Sequence, residues 1–318
     1  MAIRRIITAL TLALTLSVSL PALADEANVR YKQGLALKRQ NKLTEAIAEY
    51  EAAIRLRPKY AEAHFALGNA YRLLNQLDKA VVAYEAAAKL QPKAGDVRAN
   101  LGVAYYKQGK FDQAQVELEA ATTLNPKDAM SWSSLGTIYR ELAKKLAKAN
   151  DPRSKEIEAK SIAALEKAVS FLPKDHQMLN NLGVAYRQAG KLDLAKAKFL
   201  AAIAAAPQTA DYHFNLGAVY RRLQDQDNAI KSYSEALRLK PDHAGANYDI
   251  AVMYSQIRED EKALPHYKKY LELTKGKNPA MDAEVEAKIR ALEGTPEPTA
   301  SPSPSPSKKP KTKPKFYK

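Results

Sequence analysis

Apolar residues in this chain come in pairs of helix-length blocks. Phe65, Leu67, Ala70 and Tyr71 lie at helical spacing, a polar break follows at Asn75-Gln76, and Ala80, Val81, Tyr84, Ala87 and Ala88 resume the spacing. Side chains three and four residues apart share one face of an α-helix, so each pair of blocks predicts two amphipathic helices joined by a turn. The pair recurs. Gly34, Gly68, Gly102, Gly136, Gly183 and Gly217 stand 34 residues apart except for one step of 47, and Pro58, Pro92, Pro126, Pro173, Pro207 and Pro241 keep the same spacing. Seven units follow, at 27–60, 61–94, 95–128, 129–175, 176–209, 210–243 and 244–277. Such a period means a stack of units, each resting on its neighbours.

Each unit is punctuated alike. The turns carry Asn41, Asn75-Gln76, Gly109, Gly190 or Gln224-Asp225, residues that tolerate a left-handed or tight backbone. Asp78, Asp112, Asp193 and Asp227 are expected at or near the N-cap of each second helix, accepting from free amides and favouring the dipole. The glycines fall within the first helices, where each costs about 1 kcal/mol against alanine. Close approach of the two backbones offsets that cost, with only a methyl at Ala80 or Ala114 across from Gly68 or Gly102. Proline lacks an amide donor and ends each second helix. Helices of about a dozen residues are marginal alone in water, so stability comes from stacking.

The third unit reads Leu101-Gly102, Tyr105, Ala114, Leu118, Ala121 and Pro126, and the fourth adds Trp132 to Leu135-Gly136 and Tyr139. This order resembles the tetratricopeptide repeat over residues 27–277. The resemblance implies an all-α fold, a right-handed α-solenoid (superhelix) of seven helix-turn-helix repeats, and a ligand surface on an inner wall made by the first helices. The seventh unit departs, with Ala251 for Gly, Lys275 for Pro, and Pro265 expected near the start of its second helix, where a first-turn proline is tolerated.

The flanks read differently. Residues 1–24 match a cleaved export signal, with Arg4 and Arg5, an apolar run from Ile6 to Leu20, and Ala22-Leu23-Ala24 before Asp25. That run is shorter than the roughly 20 residues of a membrane span. The expected location is therefore periplasmic or extracellular in a bacterial envelope, with the repeats occupying 25–277. Residues 278–293 predict an amphipathic capping helix, begun by Asn278-Pro279 and striped by Met281, Val285, Ile289 and Leu292. Residues 294–318 are rich in Pro, Ser and Lys and are expected to be extended and disordered. The fourth unit holds the extra residues, at about 142–157, either as a partner-specific projection or as a tolerated insertion in a surface connection.

With 50 Lys+Arg against 35 Asp+Glu, the formal charge of +15 favours acidic partners, and no nucleic acid is expected. The chain has no cysteine, which excludes disulfides, thiolate zinc sites and cysteine nucleophiles. Two rows on the first helices stand out. Asn100, Asn181 and Asn215 share one phase, where carboxamides can pair with an extended peptide backbone or simply solvate the helix. Lys38, Arg39, Arg72, Lys107, Arg140, Arg187, Arg221 and Arg222 lie near the ends of the first helices. A helix C-terminus favours one cation, but the pairs Lys38-Arg39 and Arg221-Arg222 exceed that need, which points to a groove selecting acidic or carboxylate-bearing segments. Tyr31, Phe65, Phe214 and Tyr248 share another phase, open to a ligand's apolar groups or to packing between units.

His64 and His213 take the phase of Trp132 and read as packing residues, and the remaining histidines show no metal spacing. Neither a glycine-rich phosphate loop nor an enzyme's site inventory is present, so no cofactor and no catalysis are expected. The leading expectation is an exported, non-enzymatic adaptor or scaffold with protein partners. The alternative is a surface-attachment protein whose lysines in 308–318 contact anionic membrane lipid or cell-wall polymer.

Overall fold

The computed structural model describes residues 20–294, with side chains from Asp25 onward. Residues 1–19 of the stretch expected to be an export signal, and the tail 295–318 expected to be disordered, lie outside the described residues. Fifteen α-helices and no strand are found among the described residues. They run α1 (Leu20–Arg39), α2 (Leu43–Leu56), α3 (Ala61–Leu73), α4 (Leu77–Leu90), α5 (Gly95–Lys107), α6 (Phe111–Leu124), α7 (Ala129–Lys148), α8 (Ser154–Phe171), α9 (His176–Gln188), α10 (Leu192–Ala205), α11 (Ala210–Arg222), α12 (Gln226–Leu239), α13 (Ala244–Gln256), α14 (Asp260–Thr274) and α15 (Pro279–Glu293). Odd-numbered helices from α1 to α13 open a hairpin and the following even-numbered helix closes it. The hairpins form two compact units, the first reaching to Pro207 with five hairpins and the second beginning at Gln208 with two hairpins and α15. Each unit is a stack of α-hairpins, an all-α solenoid.

One device makes every turn. Asn41, Asn75, Gly109, Asn150, Gly190, Gln224 and Arg258 all have φ between 54° and 76°, in the left-handed region. Each lets the next residue's amide reach back to a carbonyl of the first helix, as in Gln76 N to Tyr71 O at 2.9 Å and Lys191 N to Tyr186 O at 2.9 Å. This closes the orphan carbonyls that a helix end leaves. The aspartates lie near the N-caps, as expected, but do not themselves cap. Asp78, Asp112, Asp193 and Asp227 are the second residues of α4, α6, α10 and α12, so they act through the helix dipole, while the N-cap positions of α4, α6 and α10 hold Gln76, Lys110 and Lys191 without a side-chain bond. Other aspartates cap: Asp225 accepts from the Asn228 amide of α12, and Asp128 and Asp175 accept from first-turn amides of α7 and α9.

Within a hairpin the glycine faces a large side chain. A Cβ at Gly68 would lie 2.6 Å from the Tyr84 ring, at Gly183 2.8 Å from Phe199, and at Gly102 2.7 Å from Leu118 Cγ. The room that glycine leaves is thus filled by a ring or a leucine, and at Gly102 and Gly136 a backbone carbonyl of the second helix, that of Ala114 or Ser161, also comes within 3.2 and 3.1 Å of where a Cβ would stand. Tyr50, Tyr84, Leu118, Leu165, Phe199, Tyr233 and Tyr267 occupy this phase, and all are buried. Each such burial contributes about 1.5–3 kcal/mol, which offsets the glycine's helix penalty. In the seventh hairpin Ala251 carries a methyl opposite Tyr267, within the core that also includes Val285 of α15.

Hairpins of the first unit are joined by a ladder absent from the sequence reading. Tyr71, Tyr139 and Tyr186 donate to Glu51, Glu119 and Glu166 of the preceding hairpin at 2.6, 2.7 and 2.6 Å, and Tyr105 donates likewise to Glu85. Leu200 holds the corresponding position on α10. Further bonds cross at the phase of Trp132: Arg98, Trp132 and Asn247 donate to the carbonyls of Pro92, Pro126 and Pro241, and His64 Nε2 lies 3.0 Å from that of Pro58. The proline that ends one hairpin therefore offers its carbonyl to the next.

In the lengthened hairpin α7 runs on to Lys148 and α8 returns from Ser154. Ser161, where other hairpins have alanine, donates to the Gly136 carbonyl at 2.7 Å. Pro265 is the sixth residue of α14, beyond the first turn expected for it, so α14 lacks the bond this residue would donate to Glu261. Asn278 caps α15, whose Met281, Ile289 and Leu292 pack against the core of the second unit.

Candidate functional site

Successive first helices touch at α1–α3, α5–α7 and α7–α9 in the first unit and at α11–α13 in the second, whereas no pair of successive second helices packs as closely. The closer row lies on the inside of each unit's curve. Its exposed side chains make up the candidate binding face.

Lys38, Arg72, Arg140 and Arg187 share one phase on α1, α3, α7 and α9, with Tyr106 in their place on α5. Lys107 and Arg39 fall one residue later, about 100° around the helix, so they border this row rather than continue it. Lys38, Arg72, Arg140 and Arg187 are half-buried, while Arg39 and Lys107 are exposed. Arg72 Nε donates to the Tyr84 hydroxyl at 3.3 Å, and that hydroxyl donates to Asn69 at 2.9 Å, which fixes the guanidinium from behind. Arg140, 16% exposed, reaches Glu141 at 3.3 Å. Because α7 runs on to Lys148, Arg140 is about two turns from its C-terminus, and the last turn has its own Lys145 and Lys148. The helix dipole therefore gives no reason for Arg140.

In the second unit Arg221 and Arg222 end α11, both exposed. Arg221 Nη1 lies 3.3 Å from Asp249 on α13, so this cation already bridges two hairpins and is a weaker candidate for an outside partner. Asp249 stands at the phase of Asn100, Asn181 and Asn215, three half-buried carboxamides. Asn100 donates to the Asp96 carbonyl of its own helix at 2.8 Å, leaving its side-chain carbonyl for another donor. The aromatic phase is chiefly packing: Tyr31 lies on Tyr50 and Tyr60, Phe65 on Tyr84, Phe214 on Tyr233 and His243, and Tyr248 on Tyr267 and Tyr270.

Two concavities of the first unit escaped the sequence reading. One, about 270 Å³, opens beside Arg140 between α7, α8 and α9. The other, about 550 Å³, is an apolar trough between α2 and α4 floored by Leu67 and Tyr71 of α3. Its sequence signal is Val82, 67% exposed on α4 with Ala83 and Ala86 beside it. Among the described residues no group of three or more His, Asp or Glu side chains is placed to hold a metal ion, and no helix is long and apolar enough to cross a membrane.

Stacked hairpins with a cation-bearing inner face define a helical-repeat binding scaffold. Models of the TPR repeat match residues 34–74 and 68–109, and models of the tetratricopeptide repeat match 96–128, 159–210, 180–244 and 214–278. The chain belongs to the tetratricopeptide repeat proteins, whose repeats generally mediate protein–protein interaction and typically serve as non-enzymatic scaffolds. No curated protein matches it. Among solved structures it is similar to a chain of the APC/C hetero-tetramer Cut9–Hcn1, at 20% identity over 87% of this chain and 49% of that one, with TM-score 0.62. A tetratricopeptide repeat protein from Parabacteroides merdae is 14% identical over 85% of this chain and 99% of its own, with TM-score 0.61. YrrB, a TPR protein with an unusual peptide-binding site, is 23% identical over 62% of this chain and 95% of its own, with TM-score 0.50.

Proposed function

We propose that this chain is an exported, non-enzymatic adaptor of the cell envelope whose first-helix face binds acidic or carboxylate-bearing segments of a partner protein. Arg140 carries the reading, because it continues the cationic phase at a place where the helix dipole asks for no cation. Arginine's planar fork suits carboxylates, and half-burial strengthens each contact over one made in open water. One exposed ion pair yields only about 0–1 kcal/mol, whereas micromolar affinity needs about 8 kcal/mol, so several hairpins must engage one ligand together. The peptide-binding site of YrrB offers a precedent for peptide capture on this fold. Export rests on the sequence of residues 1–24.

Reversing three charges of the row at once, Lys38→Glu, Arg72→Glu and Arg187→Glu, is the test. Affinity for a fluorescein-labelled glutamate-rich peptide, read by anisotropy, is expected to fall at least tenfold with helicity unchanged, and wild-type affinity is expected to weaken as salt rises. Undiminished, salt-insensitive binding would sink the proposal.

A further inference from the structure

The 47-residue step of the fourth hairpin, against 34 elsewhere, also builds a cavity. The added turns of α7 and α8, with the end of α9, border the half-open space of about 270 Å³ beside Arg140. Ala143, Ala147 and Ala185 give it apolar walls, and Arg140, Lys144 and Lys155 bring positive charge. Lys155 is held by Glu158 at 3.0 Å, and Arg140 is shared with Glu141. Lys144 is exposed and has no ion-pair partner among the described residues. The space suits a single residue and is too narrow for a helix, whose diameter is about 10–12 Å.

We propose that this cavity is a specificity pocket for one carboxylate-bearing residue of the bound segment, either an acidic side chain or a chain-terminal carboxylate. Its aliphatic part lies on the alanine walls and its carboxylate is held by Lys144 and Arg140. Because Arg140 belongs to the cationic row, a segment lying along the first helices passes the pocket mouth and inserts this residue as it goes. The inference rests on the binding face proposed above and adds to it a reason for the lengthened hairpin, which becomes a recognition element rather than a neutral insertion. Preference for a carboxylate follows from the charge balance: of the three cations lining the pocket, Arg140 is matched by Glu141 and Lys155 by Glu158, which leaves the charge of Lys144 uncompensated.

Two variants of the full chain test it. Lys144→Glu inverts the free charge at an exposed position, and Ala147→Trp fills the cavity without changing charge. Three fluorescein-labelled peptides separate the sources: an uncharged sequence with a free terminal carboxylate, an amidated sequence with one internal glutamate, and an amidated sequence with neither. At least one carboxylate peptide is expected to bind more tightly than the third, and both variants are expected to weaken that peptide about tenfold while the thermal midpoint stays put. Which peptide binds identifies the source. Equal binding of all three peptides, or of wild type and both variants, overturns the pocket. If the Lys38, Arg72 and Arg187 reversal still weakens a glutamate-rich peptide in that case, the binding face stands without the pocket; if it does not, both fall.

Discussion

Between about pH 10 and about pH 12 the first unit is expected to lose its fold, and to do so steeply. Burial first, and then the hydrogen bond to a carboxylate, hold the Tyr71 and Tyr186 phenols protonated and push each up to about 12, while burial does the same to Tyr50. Tyr105 and Tyr139 are raised for the same two reasons through Glu85 and Glu119. In the unfolded chain these phenols ionise near pH 10. A group whose folded pKa lies above its unfolded value stabilises fully below the unfolded pKa and loses that contribution as pH climbs to the folded one. Five such tyrosines act in one stack, so their losses accumulate over the same window. Far-ultraviolet circular dichroism against pH is the measurement. Replacing Tyr71, Tyr105, Tyr139 and Tyr186 by Phe removes four of the titrating groups and is expected to flatten the alkaline transition; an unchanged slope would show that the ladder does not carry it.

Gly102→Leu is expected to destabilise the first unit by about 1–3 kcal/mol, by overpacking. The β-carbon alone would stand 2.7 Å from Leu118 Cγ and 3.2 Å from the Ala114 carbonyl oxygen. Leu118 can rotate away, but the carbonyl belongs to the backbone of α6 and moves only if the whole helix does. The seventh hairpin shows that a methyl at this phase can be accommodated, since Ala251 occupies it, but a branched side chain there has no precedent in this chain. In a stack where each hairpin leans on the next, a displaced α6 also loosens its contacts with α7. Thermal unfolding that matches wild type would contradict the facing geometry.

The repeat was legible because one physical requirement, a hairpin able to stack on copies of itself, acts on the same phases each time. Glycine opposite a ring, a left-handed residue at the turn and proline at the exit all leave residue-type marks. Charged and polar contacts leave fainter ones. The aspartates of α4, α6, α10 and α12 looked like caps, yet whether a carboxylate caps or merely faces the dipole depends on a one-residue difference in where the helix begins. The tyrosine–glutamate ladder does have a spacing signal, from Glu51 to Tyr71 and Glu85 to Tyr105, but one carboxylate among many on a charged helix attracts no notice until its partner is seen. Of the basic residues proposed as a binding row, Arg221 proved to be engaged by Asp249, a partner that lies one hairpin further on. The pocket beside Arg140 was hidden for a similar reason, since its walls come from three helices spread over residues 140–188.

The central claim is that the first helices carry the working face. A photocrosslinking side chain placed at Asn181, half-buried on α9, or at Val116, 61% exposed on α6, compares the two sides of the first unit in living cells. Adducts to one and the same partner are expected from position 181 and none from position 116. Adducts from position 116 with silence at 181 would move the binding surface to the second helices and contradict the claim.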